Sequence, residues 1–122
     1  MTGLEELKQL PDEIKSKIIV EWGSIENFYK KAFELIALEY KLSMQKPSGY
    51  QQRVQTIENE ILDIEDKLEE FADGCGDIIV EIRSDLGDII IYRNAQKLDS
   101  YLTQSGLEYQ GIRKWMSDNY GI

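Results

Sequence analysis

The chain has 122 residues, of which 42% are hydrophobic and 30% charged, a composition typical of one globular domain rather than of a disordered chain. Its net charge of −9 disfavours direct binding to nucleic acid, because contacts with phosphates require clustered Lys and Arg. The sequence contains no histidine, which excludes Ser-His-Asp and Cys-His catalysis. Its single cysteine, Cys75, excludes an intrachain disulfide and a multi-cysteine zinc site.

The hydropathy of the chain predicts a soluble protein. No apolar run approaches the roughly 18 residues that a transmembrane helix needs, so we expect no contact with a membrane. Residues 1–10 are polar and acidic, whereas a signal peptide has a basic start and an apolar centre. We therefore expect a single domain over residues 1–122, located in the cytoplasm.

The negative charge is concentrated in the middle of the chain. Residues 47–94 hold 4 basic and 12 acidic residues, a net charge of −8, whereas residues 1–46 have a net charge of −1 and residues 95–122 are neutral. Any electrostatic function of the protein is therefore expected in this middle segment.

Three helices are predicted before the clearest break in the chain. Thr2 is a candidate N-cap for a short first helix that ends at Pro11. A second helix is predicted over residues 12–22. Ser24 then caps a long helix that runs to about residue 45, and its apolar residues recur at helical spacing.

A fourth helix is predicted over residues 50–72, after the break at Pro47-Ser48-Gly49. Its apolar residues recur at spacings of three and four, which is the pattern of a packing seam: Val54, Ile57, Ile61, Ile64, Leu68 and Phe71. Because the connection is short, we expect this helix to pack against helix 24–45 as an antiparallel helical hairpin.

Two segments rich in Ile and Val follow, residues 77–83 and 88–93, and their β-branched residues favour strands. The sequence Ser84-Asp85-Leu86-Gly87 between them fits a turn with Gly87 in the left-handed conformation, so a two-stranded β-hairpin is predicted. Asn94 then caps a helix that Gly106 ends, and a last short helix follows. The predicted fold class is α+β, mainly α.

The fourth helix is expected to turn most of its carboxylates to solvent, because they lie on the side opposite its apolar seam. A magnesium site needs carboxylates that converge from several helices, so no catalytic or metal cluster is expected. Gly74-Cys75-Gly76 follows a helix and lacks the third glycine of a dinucleotide-binding loop, so no cofactor is expected either.

This side of the fourth helix is instead predicted to bind a partner. Only Lys67 balances the acids of residues 57–73, and Leu62 lies among them as an exposed apolar residue. The alternative interpretation is a solvated surface that only confers solubility. The predicted partner-binding residues, called here the acidic face, are Glu58, Leu62, Asp63, Glu65, Asp66, Glu69 and Asp73.

The sequence thus predicts a non-enzymatic protein-protein interaction module whose partner is a basic protein surface, such as that of a nucleic-acid-binding enzyme. A small acidic inhibitor of the anti-defence, immunity or nucleic-acid-mimic type has this composition. The alternative is a homodimeric structural subunit or assembly chaperone that uses its helical hairpin. Helix 24–45 carries a second apolar stripe for such a contact, formed by Phe33, Ala37, Tyr40 and Met44. Glu39 falls inside the seam of that helix, where its carboxylate needs a partner.

Overall fold

The computed structural model describes residues 2–122, apart from the side chain of Gln110, and this part of the chain folds into helices joined by short connections. The first four helices are α1 (Gly3–Lys8), α2 (Asp12–Trp22), α3 (Ile25–Gln45) and α4 (Tyr50–Phe71). A short 3₁₀ turn (Cys75–Asp77) leads into α5 (Ile78–Ile90), which is followed by α6 (Ala95–Ser105) and α7 (Gln110–Tyr120).

The predicted N-caps begin their helices as expected. The Thr2 hydroxyl accepts a hydrogen bond from the Glu5 N–H at 3.2 Å, and the Ser24 hydroxyl accepts one from the Asn27 N–H at 2.9 Å. Asn94 caps α6 in the same way. These side chains satisfy N–H groups that the first helical turn leaves without a partner, which explains why the helix starts were predictable from sequence.

Helices α3 and α4 form the antiparallel hairpin that the seam predicted. The chain reverses over residues 46–49, where Lys46 and Gly49 both adopt the left-handed conformation. At the other end of the pair, the Trp22 ring contacts Phe28 at the start of α3 and Phe71 at the end of α4, with ring centroids 4.6 and 6.3 Å apart. The seam residues Ile57, Ile61, Ile64 and Leu68 are buried, and Val54 and Phe71 at its ends are half-buried.

The predicted β-hairpin is wrong, and so is the α+β fold class, because residues 78–90 form a single helix and the described residues contain no strand. The predicted turn at residues 84–87 lies in the interior of α5, and Gly87 is not among the residues with a positive φ. The protein is therefore all-α.

Packing explains why α5 is a helix in spite of its β-branched residues. Its buried apolar residues, Ile78, Ile79, Ile82, Leu86 and Ile89, recur at helical spacing and share one side. That side packs against α1 and α3. A strand would direct alternate residues of this set away from the core, and strand propensity is too weak to offset that loss of burial.

Helix α3 lies at the centre of the fold, in contact with α1, α2, α4 and α5. Helix α7 covers another part of α3, where the Trp115 and Phe33 rings meet edge to face at 6.4 Å. This arrangement encloses α3 on most sides. It leaves the side of α4 opposite α3, and the side of α5 opposite its buried residues, facing solvent.

Candidate protein-binding site

The acidic face lies on the solvent side of α4, opposite the seam with α3. Leu62 is 52% exposed, and Asp63, Asp66 and Asp73 are exposed near it along the same helix and its end. Because about 3.6 residues complete each helical turn, Leu62, Asp63 and Asp66 are separated from the buried seam by a third to half of a turn, whereas Asp73 lies beyond the end of α4. They form the exposed part of the acidic face.

The other members of the acidic face are less open to solvent or are held by contacts within the fold. Glu58 and Glu65 are half-buried, and Glu69 is exposed but turned toward the connection with α5. Burial raises the pKa of Glu65. Arg83 of α5 opposes this rise, and the negative charge of Asp66 adds to it. These glutamates are therefore less available to a partner than the sequence suggested.

Glu69 stabilises the connection between α4 and the 3₁₀ turn. Its Oε2 accepts a hydrogen bond from the Gly74 N–H at 2.8 Å, and its Oε1 accepts one from the Gly76 N–H at 3.2 Å. A Cβ atom at residue 76 would lie 2.9 Å from Glu69 Oε1, so a side chain there would displace the Glu69 carboxylate from these hydrogen bonds. Glu69 therefore has a structural role that spacing alone did not indicate.

The two basic residues near the acidic face pair with carboxylates of other helices. The Lys67 Nζ lies 2.6 Å from Glu21 Oε1 of α2, and the Arg83 guanidinium lies 3.3 Å from Glu39 Oε1 of α3. Arg83 thus provides a partner for one carboxylate oxygen of Glu39, whereas Glu39 Oε2 is buried without a hydrogen-bond partner among the described residues. Both cations are committed to carboxylates outside the acidic face.

The segment that contains α4 and α5 is consequently rich in uncompensated negative charge. Residues 58–88 hold twelve acidic and two basic residues, a net charge of −10, so the rest of the chain is nearly neutral. Within residues 2–122, no ion pair of 4.0 Å or less involves an acidic residue of this segment. Its field is therefore directed to solvent and to any bound partner.

Asp85 was assigned to the turn of the wrong β-hairpin, and the structure instead buries it, with 2% exposure. Its Oδ2 accepts hydrogen bonds from the Gly3 N–H and the Tyr29 hydroxyl, both at 2.9 Å, which joins α1, α3 and α5. Burial raises the pKa of Asp85 to about 6, and the two hydrogen bonds limit the rise. The spacing of Asp85 from Ile78 and Ile82 places it on the apolar side of a helix, a signal that the strand interpretation hid.

The second apolar stripe of α3 is largely covered by the protein itself. Phe33 and Ala37 are buried, Tyr40 is half-buried, and only Met44, near the end of α3, is 65% exposed. A shallow groove of about 260 Å³ remains between α3 and α7, with Trp115 among its lining residues. The stripe therefore serves mainly to pack α7.

Cys75 is buried in the 3₁₀ turn, and its environment does not activate the thiol. Burial and, to a smaller extent, the charge of Glu69 raise the pKa of Cys75, whereas a reactive cysteine needs a lowered pKa. Among residues 2–122, no three Cys, Asp or Glu side chains are arranged so that they could hold a metal ion. The site's chemistry is therefore that of exposed charge beside an apolar side chain.

Comparison of the chain with protein-family models, with curated proteins and with solved structures finds no match. A search of the described helices for one long and apolar enough to cross a bilayer also finds none. The function must therefore be argued from the residues of the chain.

Proposed function

We propose that this protein is a non-enzymatic protein-protein interaction module of the cytoplasm, which presents its acidic face to a basic surface of a partner. A nucleic-acid-binding enzyme fits this description, and the protein then acts as a small acidic inhibitor. The observation that carries the proposal is the net charge of −10 over residues 58–88, with no ion pair to its carboxylates among residues 2–122.

The charge and the apolar residue of the acidic face have different roles in the proposed contact. Unpaired carboxylates at Asp63, Asp66 and Asp73 attract a basic surface and speed its association, and salt screens this attraction because they are exposed. Leu62, which is 52% exposed, loses contact with water in the complex and slows dissociation.

Imitation of duplex DNA has less support than a general acidic surface. Duplex DNA carries about one charge per 1.7 Å, whereas carboxylates three or four residues apart on a helix lie about 5 Å apart. Acids beyond α4 must therefore extend the row, and of these Asp77 and Asp88 are exposed but Asp85 is buried. The interrupted row favours a protein surface with scattered basic residues as the partner.

The alternative function, a homodimeric subunit or chaperone that dimerises through the helical hairpin, also has less support. The seam of α4 is buried against α3, and much of the second stripe of α3 is buried within the fold, where Phe33 contacts Trp115 of α7. A homodimer would therefore need a different surface from the one that the sequence suggested.

Capture of the partner with matched charge variants tests the proposal. The immobilised protein is incubated with a lysate of the source cells, and bound proteins are identified by mass spectrometry. We expect a basic protein to bind the wild type and to be lost with the combined D63K, D66K and D73K variant, whose substitutions lie at exposed, unpaired positions.

The control for this experiment is a variant with the same change in net charge elsewhere. D12K, E13K and E108K alter exposed acids on α2 and in the loop before α7. The proposal requires this control to retain the basic protein. Equal binding by the wild type and both variants, all folded by circular dichroism, would show that the acidic face only solvates the helix.

A further inference from the structure

The solvent side of α5 carries apolar residues that no other element covers within residues 2–122. Val80 is 58% exposed and Ile91 is 69% exposed, and Ser84 and Gly87 are exposed between them. The spacings of four, three and four residues place all four within an arc of about 60°, along about 16 Å of helix. We call Val80, Ser84, Gly87 and Ile91 the outer stripe of α5.

Gly87 is unusual because the fold gives no reason for a glycine at this position. Five of the nine glycines have a positive φ, and at three others an added Cβ would lie closer than 3.0 Å to a neighbouring side chain. At residue 87, an added Cβ would meet nothing within 4 Å in the described structure. Glycine is unfavourable inside a helix, and here no contact within the fold offsets that cost. A helix surface without a side chain does, however, allow the close approach of another molecule.

Unpaired negative charge lies along one edge of the outer stripe. Asp77, Glu81 and Asp88 follow one edge, because they are offset from it by about 60 to 100° around the helix. The other edge carries Arg83, whose guanidinium is paired with Glu39 of α3. A segment that lies along the stripe therefore meets unpaired carboxylates on one side and an existing ion pair on the other.

We propose that the outer stripe of α5 is the docking site for a basic amphipathic helix of the partner, an inference that rests on the function proposed above. The apolar side of such a helix covers Val80 and Ile91, and its backbone passes close to Gly87. Lys and Arg along one side of that helix reach the carboxylates of Asp77, Glu81 and Asp88. The outer stripe of α5 therefore indicates that the partner binds through a helix, whereas the acidic face alone indicates only that the partner is basic.

An antiparallel second copy of this chain does not fit the same site. Two antiparallel outer stripes would bring the Asp77, Glu81 and Asp88 carboxylates of both copies close to each other. The nearest cation, Arg83, is already paired with Glu39. Like charges at short distance oppose such a contact, whereas a basic helix complements it.

The stability of the Gly87→Ala variant tests the premise of the proposal. Because an added methyl group meets nothing within 4 Å, the substitution should raise the melting temperature, by about 2–6 °C for a domain of this size. A lowered melting temperature would mean that the fold itself requires glycine at residue 87, and the proposal would lose its main support.

Binding of a synthetic peptide to the full chain tests the proposal itself. The probe is a helical peptide of about 18 residues with Leu and Ala on one side and Lys on the others, compared with a scrambled peptide of the same composition. At low salt, the wild type should bind the amphipathic peptide about tenfold more tightly than the scrambled one. Gly87→Leu should abolish this preference, whereas Ser100→Leu, at an exposed position of α6, should keep it.

Three other results would overturn the proposed docking site on α5. They also show whether the proposed function fails with it. If the wild type binds both peptides equally and D63K, D66K and D73K weaken both, the acidic face binds basic partners but α5 does not select a helix. If neither peptide binds at low salt, the proposed function fails too. A dimer in light scattering that Gly87→Leu dissociates would make a second copy the occupant.

Discussion

Asp85 connects three helices through one carboxylate oxygen. It accepts hydrogen bonds from Gly3 of α1 and Tyr29 of α3 in a buried position. A buried donor that loses its acceptor is costly, because it has also lost its contact with water. Burial and the nearby Asp85 charge likewise raise the pKa of Tyr29 far above its usual value, so its hydroxyl remains a donor.

We expect Asp85→Ala to lower the free energy of unfolding by about 2–4 kcal/mol, since it leaves the Gly3 N–H and the Tyr29 hydroxyl without an acceptor. Asp85→Asn keeps an acceptor oxygen and removes the buried charge, so it should cost less than about 1 kcal/mol. Urea denaturation of both variants measures these values. Similar losses for Ala and Asn would contradict the hydrogen-bonding role.

The raised pKa of Asp85 predicts a specific dependence of stability on pH. The folded protein binds the Asp85 proton with a pKa of about 6, whereas the ordinary value is 3.8. Proton binding by Asp85 therefore stabilises the folded protein most at pH values below the ordinary pKa, and this stabilisation is lost as the pH rises through about 6. Other ionisable groups near this carboxylate are Tyr29 of α3, Glu81 and Asp88 of α5 and Tyr101 of α6.

Comparison of the wild type with Asp85→Asn isolates this contribution. Between about pH 7 and pH 5, the free energy of unfolding of the wild type should rise by about 1.3 kcal/mol relative to that of Asp85→Asn. Denaturation at several pH values gives the difference. A difference that is constant over this range would show that Asp85 has an ordinary pKa in the folded protein.

At the scale of the elements, helix starts and the α3–α4 seam were predictable because they depend on local signals. Thr2 and Ser24 carry the hydroxyls that cap α1 and α3, and the seam of α4 repeats with helical spacing. Helix α5 was not predicted, because clustered Ile and Val favour strands locally and only the packing against α1 and α3 decides between the alternatives.

Which residues of the acidic face are exposed could be predicted in part, because helical spacing is a local signal. Spacing around α4 correctly separated the buried seam from the exposed Leu62, Asp63, Asp66 and Asp73. It did not indicate that Glu69 caps the connection to α5, since that depends on the path of residues 72–77. The outer stripe of α5 was hidden by the wrong assignment of that segment to strands.

Truncation of two neighbouring residues tests the orientation of α4. Ile61 is 3% exposed and Leu62 is 52% exposed. Ile61→Ala should lower the free energy of unfolding by about 2–5 kcal/mol, whereas Leu62→Ala should change it by less than about 0.5 kcal/mol. A loss below about 0.5 kcal/mol for Ile61→Ala would contradict a buried seam in the monomer, and stability that depends on protein concentration would place the seam at a dimer interface.

At the scale of the whole molecule, the charge of the chain is divided between an acidic segment and a nearly neutral remainder. Residues 58–88 carry the net charge of −10 along α4 and α5, and the only two cations in the segment are paired with Glu21 and Glu39. Such a one-sided field orients an approaching basic protein before contact and so raises its association rate. The distribution of charge is therefore expected to affect the association rate more than the stability of the fold.

The most direct measurement of the central claim is the association rate constant of the captured basic partner, recorded over a range of salt concentrations. At low salt, the combined D63K, D66K and D73K variant should associate at least about tenfold more slowly than the wild type, whereas D12K, E13K and E108K should associate within about threefold of it. The difference between the two variants should shrink as salt screens the exposed charges. Equal association rates and equal salt dependence for the two variants, both folded, would contradict the claim that the acidic face binds the partner.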